Sequence, residues 1–167
     1  MGEAYGGICK KCGYSFTASL GVGFLFPVVY QDTVQKMKNG ELGEFAKKFF
    51  EEHPDGAVDC ENVVIKCKKC GSFDCAQDLS MYIPIKEREE KTGEWVVAVP
   101  AEGIDYVIGD DFDKYYEKYA DYPHVCSECD GEAEVVKDFE KIFNSGKMKC
   151  PKCGGKFGFD GTIIMWD

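Results

Sequence analysis

The chain predicts an α+β fold: short antiparallel sheets or hairpins with a few amphipathic helices, organised around two four-cysteine metal sites. Three observations carry this. Four Cys-x-x-Cys pairs, Cys9/Cys12, Cys67/Cys70, Cys126/Cys129 and Cys150/Cys153, supply eight thiols, enough for two tetrahedral shells. Brief strand-like runs alternate with stretches whose apolar residues recur at helical spacing. The 44% hydrophobic content, with 12 Phe and 9 Tyr, is enough for a real core, unlike that of a minimal zinc finger that is unfolded without metal.

In chain order, residues 14–30 read as extended or irregular, because Gly21, Gly23 and Pro27 punctuate them. Gln31 to Lys38 reads as a short helix closed by Asn39-Gly40. A second helix follows from Glu41, with Leu42, Phe45, Ala46, Phe49 and Phe50 on one apolar stripe, and ends at His53-Pro54-Asp55-Gly56. Val63 to Ile65 predicts a strand entering the second cysteine pair. Leu79 to Ile85 and Trp95 to Val99 predict two more, joined as a hairpin through Glu90-Lys91-Thr92-Gly93, and Ile104 to Ile108 a further strand. Asp110 or Asp111 is placed to cap a helix carrying Phe112, Tyr115, Tyr116 and Tyr119 on one face. Val135, Val136, Phe139, Ile142 and Phe143 predict another, stopped by Asn144-Ser145-Gly146. Lys156 to Trp166 reads as a hairpin turning at Asp160-Gly161. Two domains are expected: residues 1–100, a zinc-knuckle domain with a two-helix insertion, and residues 101–167, a zinc-ribbon-like domain.

A Cys-x-x-Cys loop grips one metal because the chain turns back through it, and the residue after the second Cys then favours positive φ. Gly13, Gly71 and Gly154 stand there in CKKCG, CKKCG and CPKCG; CSECDG puts Asp130 there, a residue that tolerates the left-handed region. These loops resemble zinc-ribbon and rubredoxin-type knuckles over about a quarter of the chain. The resemblance implies a metal on Cys126, Cys129, Cys150 and Cys153, whose pairs stand 20 residues apart, at the upper edge of familiar zinc spacing. Cys9, Cys12, Cys67 and Cys70 then form the second site across 54 residues, although pairings swapped between the halves also satisfy the count. Two zinc ions are expected. Iron is the competitor, since four thiolates suit it too and CKKCGYSF followed by CPKCG resembles rubredoxin knuckles. Cys60 and Cys75 are left over and read as small buried apolar residues, with substitute ligand or redox partner as the sharper alternative.

The formal charge is −10, and filling both sites moves it to about −14. A protein this acidic is repelled by phosphate backbones, which disfavours nucleic acid as partner. Nine of the 20 basic residues crowd the knuckles (Lys10, Lys11, Lys66, Lys68, Lys69, Lys147, Lys149, Lys152 and Lys156), and they read more simply as offsetting the charge of metal–thiolate centres. His124, two residues before Cys126, is a spare candidate ligand, and His53 sits at a helix end. The acidic groups of Lys86–Lys91 and Asp110/Asp111/Asp113 read as solvated or as balancing a helix dipole. Gly21-Val22-Gly23-Phe24 is not a phosphate loop and reads as core. The opening residues lack the pattern of a secretory signal and the most apolar stretch, Ala18 to Tyr30, is too short to span a bilayer, so a cytoplasmic protein without membrane contact is expected.

Closed four-cysteine shells leave no position for a substrate water. The function this favours is a cytosolic binding or adaptor module with two structural zinc sites and a protein partner. The alternatives are a rubredoxin-like iron or dithiol redox protein and a nucleic-acid-binding zinc ribbon. An enzyme comes last, because no nucleophile–base pair can be named.

Overall fold

The computed structural model describes residues 2–85, 88–89, 95–96 and 106–166. It is α+β, with short antiparallel sheets. The strands are β1 (Gly2–Cys9), β2 (Ser15–Leu20), β3 (Ala57–Val58), β4 (Asn62–Cys67), β5 (Phe73–Gln77), β6 (Met81–Pro84), β7 (Arg88–Glu89), β8 (Trp95–Val96), β9 (Tyr116–Ala120), β10 (His124–Val125), β11 (Glu132–Val135) and β12 (Phe157–Trp166). The helices are α1 (Phe26–Asn39), α2 (Glu44–Glu52), α3 (Asp110–Tyr115) and α4 (Phe139–Asn144).

The chain forms two compact units, and neither is continuous in sequence. One comprises Met1–Phe24, Glu61–Asp78 and Pro123–Asp167; the other, Leu25–Cys60 and Leu79–Tyr122. The expected division near residue 101 is therefore replaced by one in which both 1–100 and 101–167 contribute to each unit. The reason is topological: strands at the two ends of the chain pair with each other, and so do two hairpins in its interior.

In the first unit β1 lies between β12 and β2, all antiparallel, and a second sheet runs β10-β11-β4-β5. Val136 N–H donates to the Val64 carbonyl at 2.8 Å, extending the β11–β4 pairing. The core gathers Ala18, Val64, Phe73, Phe139, Phe143, Met148 and Phe157 with Cys9 and Cys150. Phe157 meets Phe73 and Phe143, each at a centroid distance of 5.9 Å, so β12 joins β5 to α4. Such aromatic burial supplies this unit with apolar packing independent of any metal.

The tail is one strand, not the predicted hairpin. β12 pairs with β1 from Gly2↔Trp166 to Cys9↔Phe157, and its register shifts where Asp160-Gly161-Thr162 faces the single residue Gly6. The Asp-Gly signal makes a bulge here: Gly161 has φ +99° and the Thr162 amide donates to Asp160 Oδ1 at 2.8 Å. A side chain at Gly6 would strike the Asp160 carboxylate, so glycine in β1 is what admits the bulge.

In the second unit α1 buries Phe26, Tyr30, Thr33 and Met37 along one stripe. It starts five residues before the expected Gln31, because Pro27 falls in the first turn, where its missing N–H has no partner to lose. It ends on Gly40 at φ +80°, where Asn39-Gly40 predicted a stop. α2 buries Ala46, Phe49 and Phe50, but Phe45 is exposed. Phe24 also departs from its predicted core position, being 83% exposed.

The sheet β3-β6-β9 packs Ala57, Phe112 and Tyr116 together with Tyr82, whose ring lies 4.4 Å from that of Phe112. The helix predicted through Tyr119 stops at Tyr115: residues 116–120 pair with β6 instead. Aromatic and edge pairing favour extended backbone there over a helix only six residues long. The hairpin expected between residues 79–85 and 95–99 is not the one found: β6 pairs with β3 and β9, and Trp95–Val96 pairs antiparallel with Arg88–Glu89. The turn residues 90–93 and residues 97–99 lie outside the described residues. So do residues 86–87 of the KEREEK run and Ile104 and Asp105, while Tyr106 to Ile108 form no strand.

Candidate metal centres

All four Cys-x-x-Cys loops adopt one backbone form. The amide after the second cysteine donates to the carbonyl of the first: Gly13 to Cys9 at 2.8 Å, Gly71 to Cys67 at 3.0 Å, Asp130 to Cys126 at 3.0 Å and Gly154 to Cys150 at 2.9 Å. The first cysteine's amide donates to the carbonyl two residues past the second, at Tyr14, Ser72, Gly131 and Gly155. This tight return needs a left-handed residue, and φ is +74° at Gly13, +75° at Gly71, +54° at Asp130 and +66° at Gly154. The departure of CSECDG from glycine is thus accommodated in the same geometry.

Each loop closes a hairpin or a hairpin-like turn. Cys9/Cys12 joins β1 to β2, Cys67/Cys70 joins β4 to β5, and Cys126/Cys129 joins β10 to β11. Cys150/Cys153 lies between Lys149 and Lys156, which form an isolated bridge ahead of β12. Because β1 pairs with β12, the first loop meets the fourth. Because β4 pairs with β11, the second meets the third.

The pairing is therefore nested, not sequential. Cys9, Cys12, Cys150 and Cys153 form one group and Cys67, Cys70, Cys126 and Cys129 the other, each with all sulfurs within 4.8 Å of one another. Sulfur–sulfur distances across the loops are 3.6 Å for Cys9–Cys153, Cys12–Cys150 and Cys67–Cys129, and 3.7 Å for Cys70–Cys126. Four sulfurs placed about 2.3 Å from a tetrahedral zinc stand about 3.8 Å apart, whereas a disulfide needs about 2.05 Å. The donors fit a four-coordinate metal and are far too separated to be bridged to each other.

The first cysteine of every loop is buried, while Cys12 and Cys70 are exposed. Backbone amides already point at the sulfurs: Cys70 N–H and Lys69 N–H each reach Cys67 Sγ at 3.3 Å, and Glu128 N–H reaches Cys126 Sγ at 3.4 Å. The Cys70 amide is the main cause holding the Cys67 thiol down at about 6, against the opposing effect of burial. At Cys9 burial resists ionisation, but the amides of Cys12 and Lys11 prevail and bring it to about 7. Cys70 is lowered first by the Ser72 hydroxyl, whose oxygen lies 3.0 Å from its sulfur and 3.2 Å from that of Cys126. The backbone at Tyr14 and Gly131 favours ionised Cys12 and Cys129, yet burial and the neighbouring sulfurs raise both to about 12. Each group thus stabilises some thiolates and penalises a full set of four, a debt of negative charge that a divalent cation cancels.

Cys60 and Cys75 belong to neither group. Cys60 is buried, with Sγ 3.8 Å from the Val58 carbonyl, and burial pushes its thiol up to about 12. Cys75 accepts from Ser19 N–H at 3.3 Å and is raised by burial as well. His124 is buried with Nε2 2.8 Å from the Asp78 carbonyl and does not join the adjacent sulfurs. His53 ends α2, where its amide donates to Phe49 and its ring lies 5.0 Å from that of Tyr119. Of the knuckle lysines, Lys68 pairs with Glu132 and Glu134, and Lys66 lies over the Phe73 ring.

A sequence signal for the nesting exists. The two identical loops, CKKCG at Cys9 and Cys67, never meet; each faces a loop with glycine two places past its second cysteine, CPKCGG or CSECDG. At Gly155 an added Cβ would stand 3.2 Å from both Cys153 Sγ and Lys11 Cβ; at Gly131 it would stand 3.2 Å from Cys129 Sγ and 3.0 Å from Lys69 Cβ. The second lysine of CKKC therefore needs a glycine opposite it, which another CKKCG loop does not offer.

Compared with known proteins, the chain matches no family model, no curated relative and no solved structure. No helix among the described residues is long and apolar enough to cross a membrane.

Proposed function

We propose that the protein is a cytoplasmic zinc-binding module with two structural sites, zinc-ribbon-like in form, that docks a protein partner. The observation carrying this reading is the pair of four-sulfur groups with cross-loop distances of 3.6–3.7 Å, close to what zinc demands. Cys9, Cys12, Cys150 and Cys153 would hold one ion, and Cys67, Cys70, Cys126 and Cys129 the other. Zinc bound there would supply cross-linking and charge neutralisation, with no coordination position left for a reacting water. Exposed apolar side chains, Ile163, Ile164 and Met165 on β12 and Val28 on α1, support a docking role.

Elemental analysis and a visible spectrum test the reading together. Two equivalents of zinc in a colourless protein are expected, and a coloured protein carrying iron would replace it with the rubredoxin-like alternative.

A further inference from the structure

A cleft of about 390 Å³ opens in the first unit between the Cys9/Cys12 loop, the end of α4 and β12. Its lining includes Phe143, Phe159, Lys10, Lys156, Asn144 and Gly158. That volume falls in the range of small-molecule sites, and its lining sets the apolar Ile8, Phe143 and Phe159 beside the polar Lys10, Lys156 and Asn144. We infer that this cleft binds a phosphomonoester attached to a flat ring, the chemistry of a nucleoside monophosphate.

The charges point to an anion. Lys36, Lys47, Lys68 and Lys118 each hold a carboxylate, whereas neither Lys10 nor Lys156 is in an ion pair among the described residues. Two ammonium groups on one cleft, neither in an ion pair among the described residues, suit a phosphate dianion in addition to offsetting the nearby thiolates. Lys156 is also positioned: an added Cβ at Gly146 would stand 3.1 Å from its Nζ, so the side chain lies across that glycine.

The ring is indicated by the other wall. Phe159 is 43% exposed and is propped edge-on by the buried Phe143, at 84° and 6.3 Å. A held aromatic with open surface is a stacking platform for a planar group.

Gly158 supplies an independent sign. It lies within β12, where glycine weakens a strand, and its φ is outside the left-handed region, so the backbone does not require glycine. A Cβ there would meet nothing within 4 Å. A side chain at this lining position would enter open space beside the cleft.

Calorimetric titration of the zinc-loaded full chain with AMP, adenosine and inorganic phosphate tests the assignment. AMP is expected to bind at submillimolar concentration, with adenosine and phosphate each weaker by about tenfold or more. Replacing Lys10→Ala together with Lys156→Ala should reduce AMP to the affinity of adenosine. Gly158→Leu should abolish binding of all three while two zinc equivalents are retained. No AMP binding at about 10 mM, or undiminished affinity in a zinc-loaded Gly158→Leu protein, would overturn the inference. If Gly158→Leu does not fold, the lysine double variant decides: unchanged AMP affinity there overturns it too. Zinc content measured on the same samples separates failure of the cleft from failure of the metal sites.

Discussion

Lys69 runs across Gly131 so closely that a methyl group on that glycine would stand 3.0 Å from the Lys69 Cβ, and Lys11 crosses Gly155 in the same way at 3.2 Å. The lysine stem of one loop thus seats on the bare backbone of its partner loop. This contact, repeated in both groups, fixes how closely the paired loops approach and so how closely their sulfurs gather.

Branched substitutions at these glycines should therefore open the sulfur groups. Gly131→Val and Gly155→Val are each expected to lower bound zinc from two equivalents toward one and to destabilise by about 1–3 kcal/mol, the range for overpacking a tight contact. Elemental analysis and thermal unfolding read both effects. A variant that keeps two equivalents and the parent Tm would show that the approach is not limiting.

The nested pairing makes a stoichiometric prediction. Cys12→Ser with Cys153→Ser removes two ligands from one group and should leave one zinc, whereas Cys12→Ser with Cys70→Ser damages both and should leave none. Sequential pairing requires the reverse. Metal counts on the two double variants separate the topologies without a further structure.

Asp130 carries the only left-handed knuckle residue with a side chain, at φ +54°. Because a Cβ is disfavoured there, Asp130→Gly should stabilise by about 0.5–1 kcal/mol, part of the left-handed penalty being offset by the added freedom of glycine in the unfolded chain. Gly71→Ala at φ +75° should instead destabilise by about 1 kcal/mol. Denaturant unfolding of zinc-loaded protein checks the opposite signs.

The thiols should differ in reactivity once chelator has removed metal. Cys70 is exposed and lowered by the Ser72 hydroxyl, so it should be alkylated early near neutral pH, and Ser72→Ala should slow it. Cys60, buried and raised from about 9 to about 12, should resist until unfolding. The folded protein holds the Cys60 proton more tightly than the unfolded chain does. Its contribution to stability is therefore fully present below pH 9 and lost as pH rises from 9 to 12. Cys60→Ala should flatten alkaline unfolding over that window, as followed by circular dichroism.

Much of the local structure was legible in sequence. The knuckle turns follow from glycine or aspartate after each second cysteine, and α2 from the stripe through Ala46, Phe49 and Phe50. The same reasoning missed β1, β5 and the early start of α1. Gly2, Gly6 and Gly7 have no strand signal, yet Trp166, Asp160 and Phe157 from β12 occupy the space their side chains would fill. Asp160-Gly161 carries turn chemistry, and whether it closes a hairpin or bulges within one strand depends on a partner strand more than 150 residues away.

The amino-acid sequence by itself determined the donors: eight thiols in loops whose geometry is set by residues within five positions, since φ preference and hydrogen bonding there are local. Only the tertiary structure decided which loops share a metal. Strand pairing across β1–β12 and β4–β11 brings together cysteines up to 144 residues apart, and the packing of Lys11 on Gly155 and Lys69 on Gly131 selects between loops that look alike. Such choices rest on contacts between distant segments, where the energy of close fit, and not local propensity, selects the partner.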